Sequence, residues 1–306
     1  MIVLRELSEM PHELRGGALT IGNFDGVHLG HARLIARLID LGREANGPAV
    51  VFTFDPHPVR LLRPKEAPWP LTWTERKAQL LRHLGVDCLI AYPTDPALLA
   101  LSDREFFEQI VREKLAARAM VEGPNFFFGR NRTGNIDVLT KLTREAGLRL
   151  EIVEPVVMGG AIVSSSRVRE LIASGDVDQA RRLLTQPYRI RGIVTHGAGR
   201  GAGIGFPTAN VSGIDTLLPG SGVYGGRAVL GGRAWPAAVN VGPNPTFGEQ
   251  SLKVEVHLIG FHKAIYGKLL EVDFLTRLRD VRQFESVEDL KRQLARDVAA
   301  AAAAVP

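Results

Sequence analysis

The sequence has 306 residues, 45% of them hydrophobic and 23% charged, which provides for two sizeable cores and excludes a disordered or fibrous chain. Its one cysteine, Cys88, excludes an intramolecular disulfide, and the opening MIVLRELSEMPHELR is broken by charges before a secretory core forms, so a cytoplasmic protein without a membrane span is expected. A net charge of +5 suits nucleic acid or anionic small molecules; because the basic residues are interleaved with acids and no RNA-binding aromatic signature occurs, phosphate-bearing small molecules are favoured.

From Leu19 to about Leu184 apolar runs alternate with helical periodicity. Strands are expected at 18–22, 49–54, 87–92, 119–123 and 148–153, with helices such as TERKAQLLRHL and DREFFEQIVREKL between them. This order predicts a parallel, doubly wound α/β sheet covered on both faces, with ligands beyond the carboxyl ends of its strands.

The first such end is LTIGNFDGVHLGH (19–31), where a strand passes through a turn at Asp25 and Gly26 into a helix. His28 and His31 stand at i and i+3, and Gly30 between them leaves room for a phosphate or sugar to approach the backbone. Free backbone N–H groups and the positive end of the helix dipole favour an anion there. Imidazoles so placed can donate to the charge that develops on an α-phosphate attacked by another phosphate, which is nucleotidyl transfer. A zinc pair would need further ligands, and no clustered Cys or HExxH pattern supplies them; two capping histidines are the plain structural alternative.

Asp55, Pro56, His57 and Pro58 follow the second strand, where His57 suits either a ligand contact or a rigid connector. RPKEAPWPLTW, with Trp69 and Trp73, reads as a cover or as a surface loop with anchored aromatics. In GPNFFFGRNRTGN the first polar side chain past the fourth strand is Asn125, suited to a ligand bond or an Asx turn. SSSRVRELIASGDV opens with hydroxyls, so Ser164 or Ser165 caps a helix and can also hold phosphate, with Arg169 as a nearby cation.

The texture changes near Thr185, Gln186 and Pro187. Short β-like runs follow (YRIRGIVTH, GVYGGRAVL, RAWPAAVNVG, LKVEVHLIG and LLEVDFLTRL), separated by Gly and Pro turns, which is the signal of an antiparallel barrel or sandwich. An amphipathic helix closes the chain from about Ser286 and ends in an alanine tail expected to fray. GAGRGAGIGFPTAN (197–210) is a Gly-rich turn but not a Walker A loop, and Gly220, Gly222 and Gly225 match GxGxxG only formally, since strand-like residues follow. The turn suits either a nucleotide phosphate held by backbone N–H groups or a plain Gly-Pro connection. Thr208 and Asn210 lie on one side of an extended segment and offer hard oxygens to Mg²⁺. Glu255 faces away from Val254 and Val256, toward water or a barrel mouth, where a carboxylate can take a proton from a hydroxyl attacking ATP.

Taken together, these motifs resemble the bacterial bifunctional riboflavin kinase/FAD synthetase (FMN adenylyltransferase) family over nearly the whole chain. GNFDGVHLGH (22–31), TFDPHP (53–58), PNFFFG (124–129) and SSSRVRE (164–170) resemble its nucleotidyltransferase motifs in order. GRGAGIGFPTAN (199–210), GVYGG (222–226), NVGPNPTFG (240–248), VEVHL (254–258) and FESVEDLKRQLARD (284–297) resemble its kinase module. The resemblance implies a Rossmann-like nucleotidyltransferase domain at 1–185 and a six-stranded antiparallel barrel with a C-terminal helix at 186–306. It also implies riboflavin plus ATP giving FMN, then FMN plus ATP giving FAD and pyrophosphate. His28, His31, Gly22, Asp25, Ser164, Ser165 and Arg169 would hold ATP, and Asn125 would help place the reactants. Gly199, Gly205, Pro207, Thr208 and Asn210 would form the kinase nucleotide site, with Mg²⁺ on Thr208 and Asn210 and Glu255 as base. Riboflavin, FMN and ATP are the implied partners, with neither nucleic acid nor membrane expected and homo-oligomer formation left open. Four positions depart from the family pattern: Ser166 replaces its usual Thr, Ile162 stands where Arg or Lys is common, and Lys263 and Ala264 replace acidic residues ahead of Tyr266 and Gly267.

Overall fold

The structure, a computed structural model, describes residues 1–197, 199–243 and 253–305, with the side chains of Glu9 and Arg200 left aside. The chain forms two units, Met1–Pro68 with Thr74–Ser164, and Trp69–Trp73 with the chain from Ser165 onward.

In the first unit β1 (Ile2–Leu4), β2 (Ala18–Ile21), β3 (Ala49–Asp55), β4 (Cys88–Pro93), β5 (Ala119–Glu122) and β6 (Arg149–Ile152) form one parallel sheet in the order β1-β4-β3-β2-β5-β6. The expected apolar runs are all strands. β1 was not expected: it is a three-residue edge strand too short for an alternation signal. Between the strands lie α1 (Leu29–Glu44), α2 (Pro58–Leu62), α3 (Thr74–His83), α4 (Pro96–Ala100), α5 (Asp103–Phe106) with a π-helical continuation over Phe107–Lys114, and α6 (Ile136–Glu145). Alternate residues of each strand enter two different cores. Leu19, Ile21, Val50, Phe52, Cys88, Ile90 and Met120 pack on one face, while Ala18, Ala49, Val51, Leu89, Ala119 and Val121 pack on the other. Both faces are buried, which is why the strands read as continuous apolar runs.

From β2 the chain steps to β3 and β4 on one side and returns to β5 and β6 on the other, so the topological switch lies between β2 and β5. There the ladder pairs only Ala18 with Ala119 and Leu19 with Met120. At Ile21 the backbone N–H donates instead to Glu122 Oε1 at 2.8 Å. The strands part there, and in such sheets the crevice at the carboxyl ends of a switch point is the usual ligand position. The pair β7 (Val157–Met158) and β8 (Ala161–Ile162) follows β6.

In the second unit α7 (Ser165–Ser174) and α8 (Val177–Leu183) lead into β9 (Tyr188–Thr195), α9 (Arg200–Gly203), β10 (Ala209–Ser212), β11 (Gly222–Leu230), β12 (Arg233–Gly242), β13 (Lys253–Leu258) and β14 (Leu269–Arg279). These strands close into an antiparallel barrel, β10-β13-β12-β11-β14-β9, as expected. Gly231 and Gly232 join β11 to β12 with φ of 57° and 83°, a turn whose twist matches that of a hairpin and which side chains disfavour. Val194, Val239, Val254, Val256, Val272 and Phe274 are buried in the barrel. A buried charge cluster supports it: Asp273, fully buried, accepts from Arg189 Nε at 2.6 Å and from Arg227 at 2.9 Å.

The closing helix α10 (Val287–Ala303) begins at Ser286, whose side chain accepts from the Asp289 N–H. The alanine tail is not frayed. Ala301 is fully buried, because Gly225 on β11 has no side chain and the helix backbone approaches it closely. No helix among the described residues is long and apolar enough to cross a membrane.

Candidate active sites

The switch-point crevice holds the histidine pair. His28 is the N-cap of α1, with an extended backbone and Nδ1 accepting the His31 N–H at 3.3 Å. Capping and ligand binding are compatible, because a lone pair used at Nδ1 puts the ring proton on Nε2, a donor on the far side of the ring. The His31 ring stacks on His28 with centroids 3.7 Å apart, and Phe24 lies 5.0 Å from His31. The role of Gly30 differs from expectation. A Cβ there would meet the His28 ring at 3.1 Å and the Val163 carbonyl at 3.4 Å, so the glycine makes room for those groups rather than for an incoming ligand.

Burial lowers the His28 pKa to about 4, partly opposed by the nearby Asp25. His31 is held well below the usual imidazole range, chiefly by burial and then by His28 and Lys77. Both rings are therefore neutral donors near pH 7. Asp25 is buried beside them, and the Gly22 N–H donates to the Phe52 carbonyl at 3.0 Å, which keeps the end of β2 on β3. Asn125 is exposed beyond the end of β5. Val163 touches Gly30, which puts Ser164, next in the chain, beside the histidine turn. Ser165 and Arg169 lie on α7, in the second unit.

The remaining first-half candidates make structural contacts. His57 caps α2, Nδ1 accepting from the Val59 N–H at 3.1 Å, as a connector would. Trp73 is buried with the Arg191 guanidinium 4.7 Å above its ring. Trp69 is exposed, and its carbonyl accepts from Arg169 Nε at 2.9 Å. The segment is thus a loop anchored within the second unit.

The second unit has its own cavity of about 150 Å³, bounded by the Gly-rich turn, β10, β12, β13 and α10. Strand register builds it. Glu255 on β13 is opposite Asn210 on β10 and Asn240 on β12, so one carboxylate is flanked by two amides on the face opposite the buried Val254 and Val256. Thr208 and Asn210 both line the cavity, as do Gly199 and Phe206. Pro207 carbonyl accepts from His257 Nδ1 at 2.7 Å, which fixes the approach of the turn to β13. Gly199 (φ 68°) and Gly205 (φ 92°) take left-handed conformations that bend the turn around α9. On the helix side Asp297, 4% exposed, accepts from Arg279 Nε and Nη2 at 3.1 and 2.7 Å. Of the NVGPNPTFG motif, residues 244–248 lie outside the described residues.

Four groups at these sites escaped the sequence reading. Lys77 lay within a run read only as a helix, and its burial depends on where α3 docks. Glu122 resembled any strand residue, although burial holds its carboxyl pKa well above the usual range. Asn240 opens a motif that the sequence reading quoted, but its place opposite Glu255 follows only from cross-strand register. The Arg279–Asp297 pair joins a strand to a helix 18 residues later, a distance at which no local pattern operates.

Comparison with known proteins agrees with both halves. The family described as FAD synthetase matches residues 10–167, and that described as riboflavin kinase matches residues 184–305. A bifunctional riboflavin kinase/FMN adenylyltransferase of Pseudomonas fluorescens is 37% identical, covering 99% of this chain and 97% of its own. The Escherichia coli K12 protein of the same description is 35% identical over 96% and 94%, and that of Bacillus subtilis 34% over 91% and 89%. A crystal structure described as a macrolide-efflux protein from Streptococcus pneumoniae superposes with a TM-score of 0.86 at 28% identity, covering 98% of each chain. With two family matches in series and relatives aligned almost end to end, the chain belongs to the bifunctional riboflavin kinase/FMN adenylyltransferase family.

Proposed function

We propose that the two activities are divided between the two sites, with modules read as 1–185 and 186–306: FMN adenylyl transfer at the His28/His31 crevice and riboflavin phosphorylation at the Glu255 cavity. One observation carries the reading. Each family match covers a half of the chain that holds its own polar site.

In the first reaction an oxygen of the FMN phosphate attacks the α-phosphorus of ATP, and pyrophosphate leaves. His28 Nε2–H and the His31 ring donate to the phosphate oxygens whose charge grows along this path, assisted by the N-terminus of α1. Neutral rings suit the task, because they keep their donors fixed without exchanging protons with the ligand. Ser164, Ser165 and Arg169 would hold the remaining phosphate oxygens, and Asn125 would orient the reactants, as in the family pattern.

In the second reaction the ribityl 5′-hydroxyl of riboflavin attacks the γ-phosphorus of ATP, the bond from that phosphorus to the β,γ-bridging oxygen breaks, and ADP leaves. Glu255 accepts the hydroxyl proton, and its flanking amides hold the carboxylate in place. The donors Thr208 and Asn210 fit Mg²⁺, which takes few protein oxygens and completes its shell with phosphates and water. Mg²⁺ bound there would neutralise phosphate charge. Among the described residues no group of His, Cys, Asp or Glu could by itself hold a metal ion, consistent with an ion that arrives with its nucleotide.

The test is to incubate the purified protein with riboflavin, ATP and Mg²⁺ and to separate the flavins over time. FMN should form first and FAD follow. FMN accumulating without FAD, even with FMN and ATP supplied directly, would defeat the assignment of the crevice, and no FMN would defeat that of the barrel.

A further inference from the structure

Lys77 is a buried cation to which neither reaction assigns a role. It lies on α3, is 8% exposed, and donates from Nζ to Thr53 Oγ1 at 3.2 Å. Thr53, fully buried on β3, continues the link, its hydroxyl donating to the Asn23 carbonyl at 3.1 Å. Asn23 opens the loop that carries Asp25 and His28. Asp25 and Asp55 are the carboxylates whose charge favours the ammonium. Asp55 is held in turn by Thr74 Oγ1 at 2.7 Å and by Arg5 at 3.1 Å. A buried ammonium is tolerated only with such partners. Here they come from α3, β3 and the histidine loop.

The same loop holds polar atoms in a conformation that leaves them unpaired. His31 Nδ1 and Asn23 Oδ1 are buried without a hydrogen-bond partner among the described residues. Phe24 and Val27 within the loop take φ of 45° and 42°, left-handed conformations that side chains disfavour, so its surroundings must hold it in place. Lys77 is placed to do so.

We propose that Lys77 is a positioning residue for adenylyl transfer: from beneath the crevice it ties β3 to the loop from Asn23 to His28, and so fixes where the stacked histidine rings present their donors. This rests on the assignment of that reaction to His28 and His31. The groups facing Lys77 are Thr53, Asp25 and Asp55, and those facing His31 are His28, Phe24 and Lys77. The cation also disfavours a proton on His31. Its removal therefore raises the affinity of that ring for protons, which a simple packing defect would not do.

The experiment uses the full chain with FMN, ATP and Mg²⁺, and compares Lys77→Met, Thr53→Val and His28→Ala with the parent. Lys77→Met should lower kcat for FAD formation by about 100-fold, the scale of a misplaced donor, with KM for ATP and FMN within about threefold of the parent. The acid limb of its pH–rate profile should move to higher pH. Thr53→Val, which removes only the hydroxyl link, should lower kcat by about tenfold. A kcat for Lys77→Met within twofold of the parent, or a loss without movement of the acid limb, would overturn the proposal. Should Lys77→Met not fold, Thr53→Val decides, a parental kcat counting against the proposal and a reduced one for it. His28→Ala separates the two failures: parental FAD formation there defeats the histidine assignment, whereas loss there beside an unaffected Lys77→Met defeats only the role of Lys77.

Discussion

In the parallel sheet the candidate site groups are withdrawn from water. His28, His31 and the supporting Asp25, Lys77 and Glu122 gather at the switch point, and the histidines and Glu122 are pushed by burial toward their neutral forms. In the barrel the groups sit on alternate residues of half-exposed strand faces, with Glu255 between Asn210 and Asn240. The contrast follows from the topology. A doubly wound sheet buries both faces and exposes function only at its edge, whereas an antiparallel barrel has an outer face on which every second residue is available. On the proposed reading, the first site works with neutral donors held still and the second with a carboxylate on a strand face.

The sharpest way to break this contrast is to remove each site alone. Replacing His28 and His31 together with Ala should cost FAD formation about 10⁴-fold, from two lost donors at 10²–10³ each with partial overlap, and leave FMN formation at the parental rate in the same assay. Glu255→Gln should lower FMN formation by about 10²–10⁴-fold, while FAD formation from supplied FMN stays within twofold. Equal loss of both activities in either variant would contradict the division.

The stability of the two units should differ in kind. Asp273→Ala leaves Arg189 and Arg227 without their shared buried carboxylate, which should destabilise the barrel by about 3–5 kcal/mol, read as a lower denaturant midpoint for the kinase unit. Glu122 works in the opposite direction. Burial holds its carboxyl pKa well above the ordinary value of 4.5, so above that pH the folded state binds more protons than the unfolded one and stability falls as pH rises. Glu122→Gln keeps an oxygen for the Ile21 N–H and removes that slope, so it should raise Tm by about 2–4 °C at pH 7 and leave it unchanged near pH 4. His28 has the reverse sign. Between its ordinary pKa of 6.5 and about 4 the unfolded state binds more protons, so stability should fall as pH drops through that window. Calorimetry across pH 4–8 on the parent and on Glu122→Gln checks both signs.

These two sites were not equally legible in the sequence. The histidine turn is local, a strand, a turn and a helix within a short stretch, so its place was readable from LTIGNFDGVHLGH alone. The alternation around Glu255 gave its facing, and the Gly–Pro turns gave the antiparallel class. What escaped depends on tertiary docking. Lys77 looks like any lysine on an amphipathic helix until α3 is laid on β3, and Glu122 resembles an exposed strand residue until the β2–β5 ladder parts. The alanine tail reads as frayed because alanine carries no packing signal, yet it packs where Gly225 leaves space. Gly30 was read as space for a ligand, since sequence does not reveal that the His28 ring folds back over it.

If two separable sites act in succession on one flavin, each should complement a protein that lacks the other. The His28→Ala/His31→Ala protein and the Glu255→Gln protein would each be incubated with riboflavin, ATP and Mg²⁺, alone and mixed, and the flavins separated by chromatography. The account predicts FMN without FAD from the first, almost no product from the second, and FAD from the mixture, because FMN released by one is adenylylated by the other. FAD from the first protein alone, or a mixture that makes FMN but no FAD when free FMN supplied to the Glu255→Gln protein is also left unconverted, would contradict it.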